Sequence, residues 1–272
     1  MQKTHEQLRD RCVEAAERLT EKFARRRPPF TIEPLLQRFN IAEVRQRLLT
    51  HDARLIQDGA RFTIEVNSAF PKVRQRLSAA HELAHLIVSE YSPGNGHDGN
   101  KGVVESLCDH VAGILLVPDW ALRDHFQQSL SLGGWHSGIR CSTVLEAAAA
   151  FDVSVDVMAR RMFQDLSLSP PTVAIIWRHG ASSVKPTAER TLRVASAWGS
   201  AANPRFIPRN KTAPPNSIIC TAYQRGGVFC REEEVSLGAL KGRFTVEALG
   251  FQWFPLRRGT RPARAVLSLL TG

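Results

Sequence analysis

His81, Glu82, His85, Glu105 and Asp109 are the residues of this 272-residue chain whose types and spacing can do chemistry together. The two histidines are four positions apart. On a helix that spacing puts both imidazoles on one face, about 6 Å between their Cβ atoms. They can then chelate one tetrahedral metal ion. Glu82 falls beside that ion, where it can take a proton from the attacking water. Glu105 supplies a third ligand. Asp109, one turn on, supplies a carboxylate that can orient a ligand histidine. This set predicts metal-assisted peptide hydrolysis. Zinc (Zn2+) is the default ion, and manganese (Mn2+) also suits two histidines and a glutamate. The reaction needs a donor for the developing oxyanion as well. Tyr91, His97, His110 and His125 are the candidates, and the sequence does not choose among them.

Two helices must position these groups. The first is predicted over Pro71–Glu90, with Pro71 suited to a first helical position after Asn67 and Ser68. Val73, Leu77, Ala80, Ala84 and Ile87 follow helical spacing and give it a core face. The second is predicted over Val103–Val117 and closed by Pro118, which cannot continue it. Its Leu107, Val111, Ile114 and Leu115 form a buried face, yet its first turns carry two carboxylates. Charges near a core need a partner, and a dication is one. The alternative account of Glu105, an acid favoured by the helix dipole, is the weaker of the two. Cys108, between the carboxylates, reads as a small core residue. His97 and Asp98 fall in a Gly/Asn-rich loop, Pro93–Gly102, expected to overhang the site.

The run from Arg61 to Pro118 resembles the ImmA/IrrE family of bacterial metallopeptidases. The matching pieces are RFTIEVNSAF, VRQRLSAAHELAHLIV and VVESLCDHVAGILLVP. Two positions depart from the family pattern: Leu77-Ser78 stands where Phe-Thr is usual, and Asp109 where Asn is common. The resemblance implies His81, His85 and Glu105 as metal ligands and Glu82 as the catalytic carboxylate. It implies a zincin-like core in which the strand beside the metal helix belongs to a sheet with an edge open to extended substrate. It further implies a cytoplasmic substrate, an XRE-type helix-turn-helix repressor cut once to derepress stress or mobile-element genes, as in a DNA-damage response. It also implies a GAF-type sensor domain toward the C-terminus. The competing reading is a non-proteolytic, metal-containing regulator that binds a repressor or nucleic acid.

The remaining elements place this core within a mixed α+β chain. A charge-rich helix is expected over His5–Arg26 and a second helical stretch over Leu35–Leu49. A hairpin follows, with Arg54–Gln57 and Ala60–Val66 flanking Asp58-Gly59. Phe62, Ile64 and Val66 alternate with Arg61, Thr63 and Glu65, so one face is buried. The middle reads as helices at Trp120–Gln128, Ser142–Ala150 and Ser154–Leu166, with a break at Gly133-Gly134. The last two of these resemble a helix-turn-helix unit. Arg160 and Arg161 are the only clustered cations there, so a packing role is favoured over DNA recognition.

Residues 171–272 hold 15 Lys/Arg against 5 Asp/Glu, which accounts for the whole formal charge of +10. Beta-like runs recur at Thr172–Trp177, Thr191–Ala197, Ser217–Gln224, Gly227–Glu232, Phe244–Ala248 and Ala263–Leu270. The expected organisation is a metallopeptidase core over 1–120, a helical region over 121–169 and a basic, β-rich, GAF-like sensor domain over 170–272, entered through Pro170-Pro171. Such a domain calls for an anionic partner, with single-stranded DNA or a nucleotide-like signal first and an acidic face of the repressor second. Trp177, Trp198, Tyr223, Trp253 and Phe254 can stack a base but more often form core. The five cysteines show no CxxC pair and predict neither a disulfide framework nor a second zinc site. No apolar run is long enough for a membrane span and no apolar signal core follows Met1, so a cytoplasmic location is expected.

Overall fold

The computed structural model describes residues 2–23, 27–91, 101–131, 139–166, 172–180, 191–199, 207–253 and 263–272. The expectations that fall on His97, Asp98, Gly133-Gly134 and Pro170-Pro171 lie outside these. The chain forms two compact units. One is built from residues up to Gln128 together with Ala149–Ser154, the other from Ser129–Ala148 and the described residues from Val155 onward. The whole is mixed α+β, with two separate sheets.

The first unit opens with helix α1 (Gln2–Phe23), the short α2 (Glu33–Leu36) and one 3-10 turn at Gln37–Phe39. The helix expected to run to Leu49 stops here. Asn40 adopts a left-handed conformation (φ 52°) that ends the turn, one that asparagine tolerates better than most residues. Ile41–Arg47 continues as strand β1. Its ladder partner is β3 (Arg61–Asn67), which it joins in parallel. That pairing lies some twenty residues away, and no local propensity could reveal it.

Strand β2 (Ala53–Asp58) pairs with β3 as the antiparallel hairpin the sequence predicts. Gly59 supplies the positive φ, 58°, that its turn requires. The sheet order is β1-β3-β2. Arg61–Asn67 is therefore the central strand, and the sheet's edges are β1 and β2.

Ile64 and Val66 of β3 are buried. The opposite face of that strand is buried too, at Glu65 and Asn67. The register puts Arg45, Glu65 and Arg54 in one row across the three strands. Both guanidiniums hold the carboxylate, at 2.9 and 2.7 Å. Arg54 first, by hydrogen bond and charge, and Arg45 with it hold Glu65 below the usual carboxylate range against the effect of burial.

Asn67 ties the turn before β2 to this strand. Its amide donates to the carbonyls of Leu49 (2.7 Å) and His51 (2.8 Å), and its Oδ1 accepts the Ala69 N–H (3.0 Å). Helix α3 (Lys72–Tyr91) packs against β2, β3, α1 and α4 (Lys101–Leu116). Ala80, Leu83, Ala84 and Ile87 have no exposed surface. Helix α5 (Asp119–Ser131) follows, and its residues up to Gln128 belong to this unit.

The second unit is organised on a five-stranded antiparallel sheet. Its strands are β4 (Thr172–Gly180), β5 (Thr191–Gly199), β6 (Gly227–Leu237), β7 (Leu240–Trp253) and β8 (Ala263–Thr271), in the order β5-β4-β8-β7-β6. Ser217–Gln224, expected as a strand, is helix α8 (Ile218–Arg225). Ile218, Ile219 and Ala222 bury one helical face against the sheet. The Ile218 N–H is capped by the carboxylate of Glu233, fifteen residues on, at 2.8 Å.

Trp177, fully buried, donates Nε1–H to Ser268 Oγ at 2.8 Å. It is core and has no face for a base. Tyr223 stacks on His179 with ring centroids 5.2 Å apart. Helix α6 (Cys141–Ala150) begins with its Cys141 N–H held by Glu247 Oε1 at 3.0 Å.

Helix α7 (Val155–Ala159) runs into a π-helical turn at Arg160–Asp165. Met158, Ala159, Met162 and Phe163 are fully buried, and Arg161, 1% exposed, pairs with Asp165 at 3.0 Å. One of the two cations a recognition helix would present is thus turned inward, and the region packs as part of the protein body. All five cysteines are free thiols. Among the described residues no helix is long and apolar enough to cross a membrane.

Candidate active site

Helices α3 and α4 pack side by side in the first unit and bring three ligand-bearing side chains together. His81 Nε2 lies 3.2 Å from His85 Nε2 and 3.2 Å from Glu105 Oε2, and His85 Nε2 lies 3.9 Å from that oxygen. A tetrahedral ion with bonds of about 2.0–2.1 Å sets its ligand atoms about 3.3–3.4 Å apart. The three separations bracket that edge, so the donor set fits one divalent ion. The two histidine Nε2 atoms face each other at 3.2 Å, a separation that a shared proton or a shared cation can span. With both protons on the outer nitrogens, two lone pairs meet, and a cation between them resolves the repulsion.

The outer nitrogens have their own partners. Asp109 Oδ1 sits 2.8 Å from His81 Nδ1, and Cys108 Sγ sits 3.4 Å from His85 Nδ1. Burial opposes the charged form of His81, but the Asp109 carboxylate, with Glu82 and Glu105, outweighs it and the pKa rises. His85, buried and beside His81, is shifted down. Burial pushes the Cys108 thiol up to about 12.

Glu82 is half-buried beside the cluster. Burial raises its pKa, and the nearby Glu105 adds to the rise while His81 opposes it. The backbone N–H of Leu55 lies near the Glu82 carboxylate and favours its charged form. Leu55 belongs to β2, so this N–H points away from β3 and out of the sheet edge. His51, on the turn before β2, acts on Glu82 electrostatically. The base and an edge strand of the sheet are therefore neighbours.

Three of the four oxyanion candidates fall among the described residues. Tyr91, at the end of α3, lines a groove with Leu19, Lys22 and Phe23 of α1 and Arg38. His125 packs edge-on to Phe126 and Phe151, with ring centroids 5.6 Å away in each case. His110 is buried on α4, and His97 lies outside the described residues. A cavity of about 420 Å³ lined by Lys72, Gln75, Arg76 and Ala79 opens on the opposite side of α3 from the histidines.

Residues 36–163 match the family model described as the IrrE N-terminal-like domain, Peptidase M78. This stretch is a domain of the ImmA/IrrE family. Helices α3 and α4, and β2 beside them, fall inside it. A Mycobacterium tuberculosis transcriptional regulator has a similar fold, with a TM-score of 0.63 and 14% sequence identity. The alignment covers 98% of this chain and 81% of that one. At this identity the likeness is one of fold alone. No curated protein matches the chain.

The sequence did not point to Leu55, Cys108 or Asn67. The Leu55 contribution is a backbone N–H and leaves no mark on residue type. Asn67 gave only a turn signal. Cys108 did carry a usable signal: Glu105, Cys108 and Asp109 stand at i, i+3 and i+4, on one face of α4.

Proposed function

We propose that the protein is a metal-dependent, site-specific endopeptidase whose substrate is an XRE-type helix-turn-helix repressor in the cytoplasm. The observation that carries this reading is the convergence of His81, His85 and Glu105 beside Glu82, with the edge strand β2 near that carboxylate. His81, His85 and Glu105 would hold a divalent ion, with zinc as the first choice. When bound, such an ion supplies Lewis acidity that polarises a scissile carbonyl and acidifies water.

The chain's own residues do the rest. Glu82, whose pKa burial raises above the ordinary carboxylate value, takes the proton of the attacking water and passes it to the leaving amine. Asp109 orients His81 and favours its Nδ1–H form. An extended peptide segment can pair with β2, its main chain supplying the hydrogen bonds.

The test is Glu82→Gln in the full chain. Cleavage of an XRE-type repressor encoded beside the gene should drop by about 100-fold or more, the scale of general-base loss. Metal content should stay at one ion per chain and vanish in His81→Ala. Undiminished cleavage by Glu82→Gln would refute the assignment of the base.

A second reading is favoured by the charge of residues 171–272, 15 Lys/Arg against 5 Asp/Glu. Here the C-terminal unit, GAF-like in this reading, senses single-stranded DNA or a nucleotide, and the protein regulates by binding. The discriminating result is a Glu82→Gln variant that still relieves repression in the cell.

A further inference from the structure

We infer that Cys108 is a positioning residue for His85: its sulfur accepts the Nδ1–H of that imidazole and leaves Nε2 facing the centre of the cluster. The inference deepens the metal reading proposed above and rests on it. Cys108 has no exposed surface, and its Sγ lies 3.4 Å from His85 Nδ1. That separation suits a hydrogen bond to sulfur, which is a weak acceptor.

A neutral imidazole carries one proton. With the proton on Nδ1, the Nε2 lone pair points toward His81 and Glu105; with it on Nε2, an N–H would block the same space. One turn of α4 therefore does three things. Glu105 enters the cluster, Asp109 holds His81, and Cys108 holds His85.

The two clamps differ in kind. His81 is held by an anion and His85 by a neutral thiol. Glu82, Glu105 and Asp109 already place three carboxylates around a site suited to a dication. A fourth anion on His85 would leave that site with a larger excess of negative charge. A neutral partner fixes the ring without adding to it. The difference also makes His85 the more weakly held ligand, because a bond to a carboxylate is stronger than one to sulfur.

The experiment compares full-length wild type with Cys108→Ala and Cys108→Ser. Two readouts are used that a role in packing alone would not move. The first is the protonated nitrogen of His85 in metal-free protein, read from side-chain 15N shifts. The second is the visible spectrum and affinity of bound Co2+.

Wild type should carry the His85 proton on Nδ1. Cys108→Ala should mix the tautomers, shift the Co2+ bands and weaken Co2+ binding about 10-fold, the low end for loss of a ligand's outer partner. Cys108→Ser, which keeps an acceptor, should return all three toward wild type. Thermal unfolding of the metal-free variants separates a loss of packing from a loss of positioning. An Nε2 proton on His85 in wild type overturns the inference, as does a Cys108→Ala variant with wild-type tautomer and spectrum. Failure of wild type to bind Co2+ at all would instead sink the metal reading, while the tautomer comparison still decides the role of Cys108.

Discussion

Replacing Asn67 with alanine should destabilise the first unit by about 2–3 kcal/mol, since each net hydrogen bond is worth about 1 kcal/mol. The side chain is 3% exposed and makes three bonds, to Leu49 O, His51 O and the Ala69 N–H. Loss of all three sets the upper end of the range. The two carbonyls belong to a turn where Leu49 is half-buried and His51 exposed. Water can reach them, and this sets the lower end.

The effect should also be local. Asn67 anchors the turn that delivers β2, and β2 carries the Leu55 N–H to Glu82. Urea unfolding followed by far-UV circular dichroism gives the stability change. Hydrogen exchange gives its location, with β2 amides losing protection before those of β4 or β8. Asn67→Asp should be worse than alanine, because it sets a carboxylate against two carbonyl oxygens. A loss below about 0.5 kcal/mol, within the range of an ordinary surface substitution, would refute the idea that this clamp holds the edge strand in place.

Asp109→Ala should lower zinc affinity about 10–100-fold, as loss of a histidine's outer partner does; chelator competition measures it, and an unchanged affinity would remove Asp109 from the site. Glu65, with its folded pKa depressed, contributes stability that is present above the unfolded value of about 4.3 and is lost as pH falls through the folded value. The stability advantage of wild type over Glu65→Gln should therefore shrink below about pH 4; urea midpoints of the two proteins at pH 7 and pH 3 would show it, and a constant difference would count against the arginine pair. If the C-terminal unit binds single-stranded DNA, log affinity of the full chain should fall by about 0.7 per log salt for each phosphate neutralised. Charge reversal at Arg257 and Arg258 should flatten that slope; Arg264 is unsuited to the test because its guanidinium caps the Tyr223 and Gln224 carbonyls of α8.

The parts of this protein that sequence revealed are those with short-range rules. The i, i+4 histidines, the apolar stripe of α3, Pro118 after α4 and the Asp58-Gly59 turn each state their geometry within a few residues. The misreadings share a cause. Ile41–Arg47 is a strand because β3 offers it a parallel ladder, and Ile218–Arg225 is a helix whose first N–H is capped by Glu233. Both outcomes depend on partners fifteen or more residues away. Thr, Tyr and the paired isoleucines of that second segment favour strand when read alone. Cys108 was assigned by residue type to the core, where it does lie; its contact with His85 depends on how two helices pack.

The proposed ligands and their clamps all fall within Arg76–Asp109 of one helix pair, and this bears on how the chain folds. His81 and Glu105 are 24 residues apart and His81 and Asp109 are 28 apart. In the second unit, Cys141 meets Glu247 across 106 residues and Leu267 across 126. Local closures form faster than distant ones, and folding rate falls as contacts grow more remote. A dication added during refolding should therefore accelerate the appearance of α3–α4 structure and leave the slower assembly of the five-stranded sheet untouched. On the ribosome, the helices carrying the proposed ligands are complete once Leu116 has emerged, before any strand of the second unit has been synthesised.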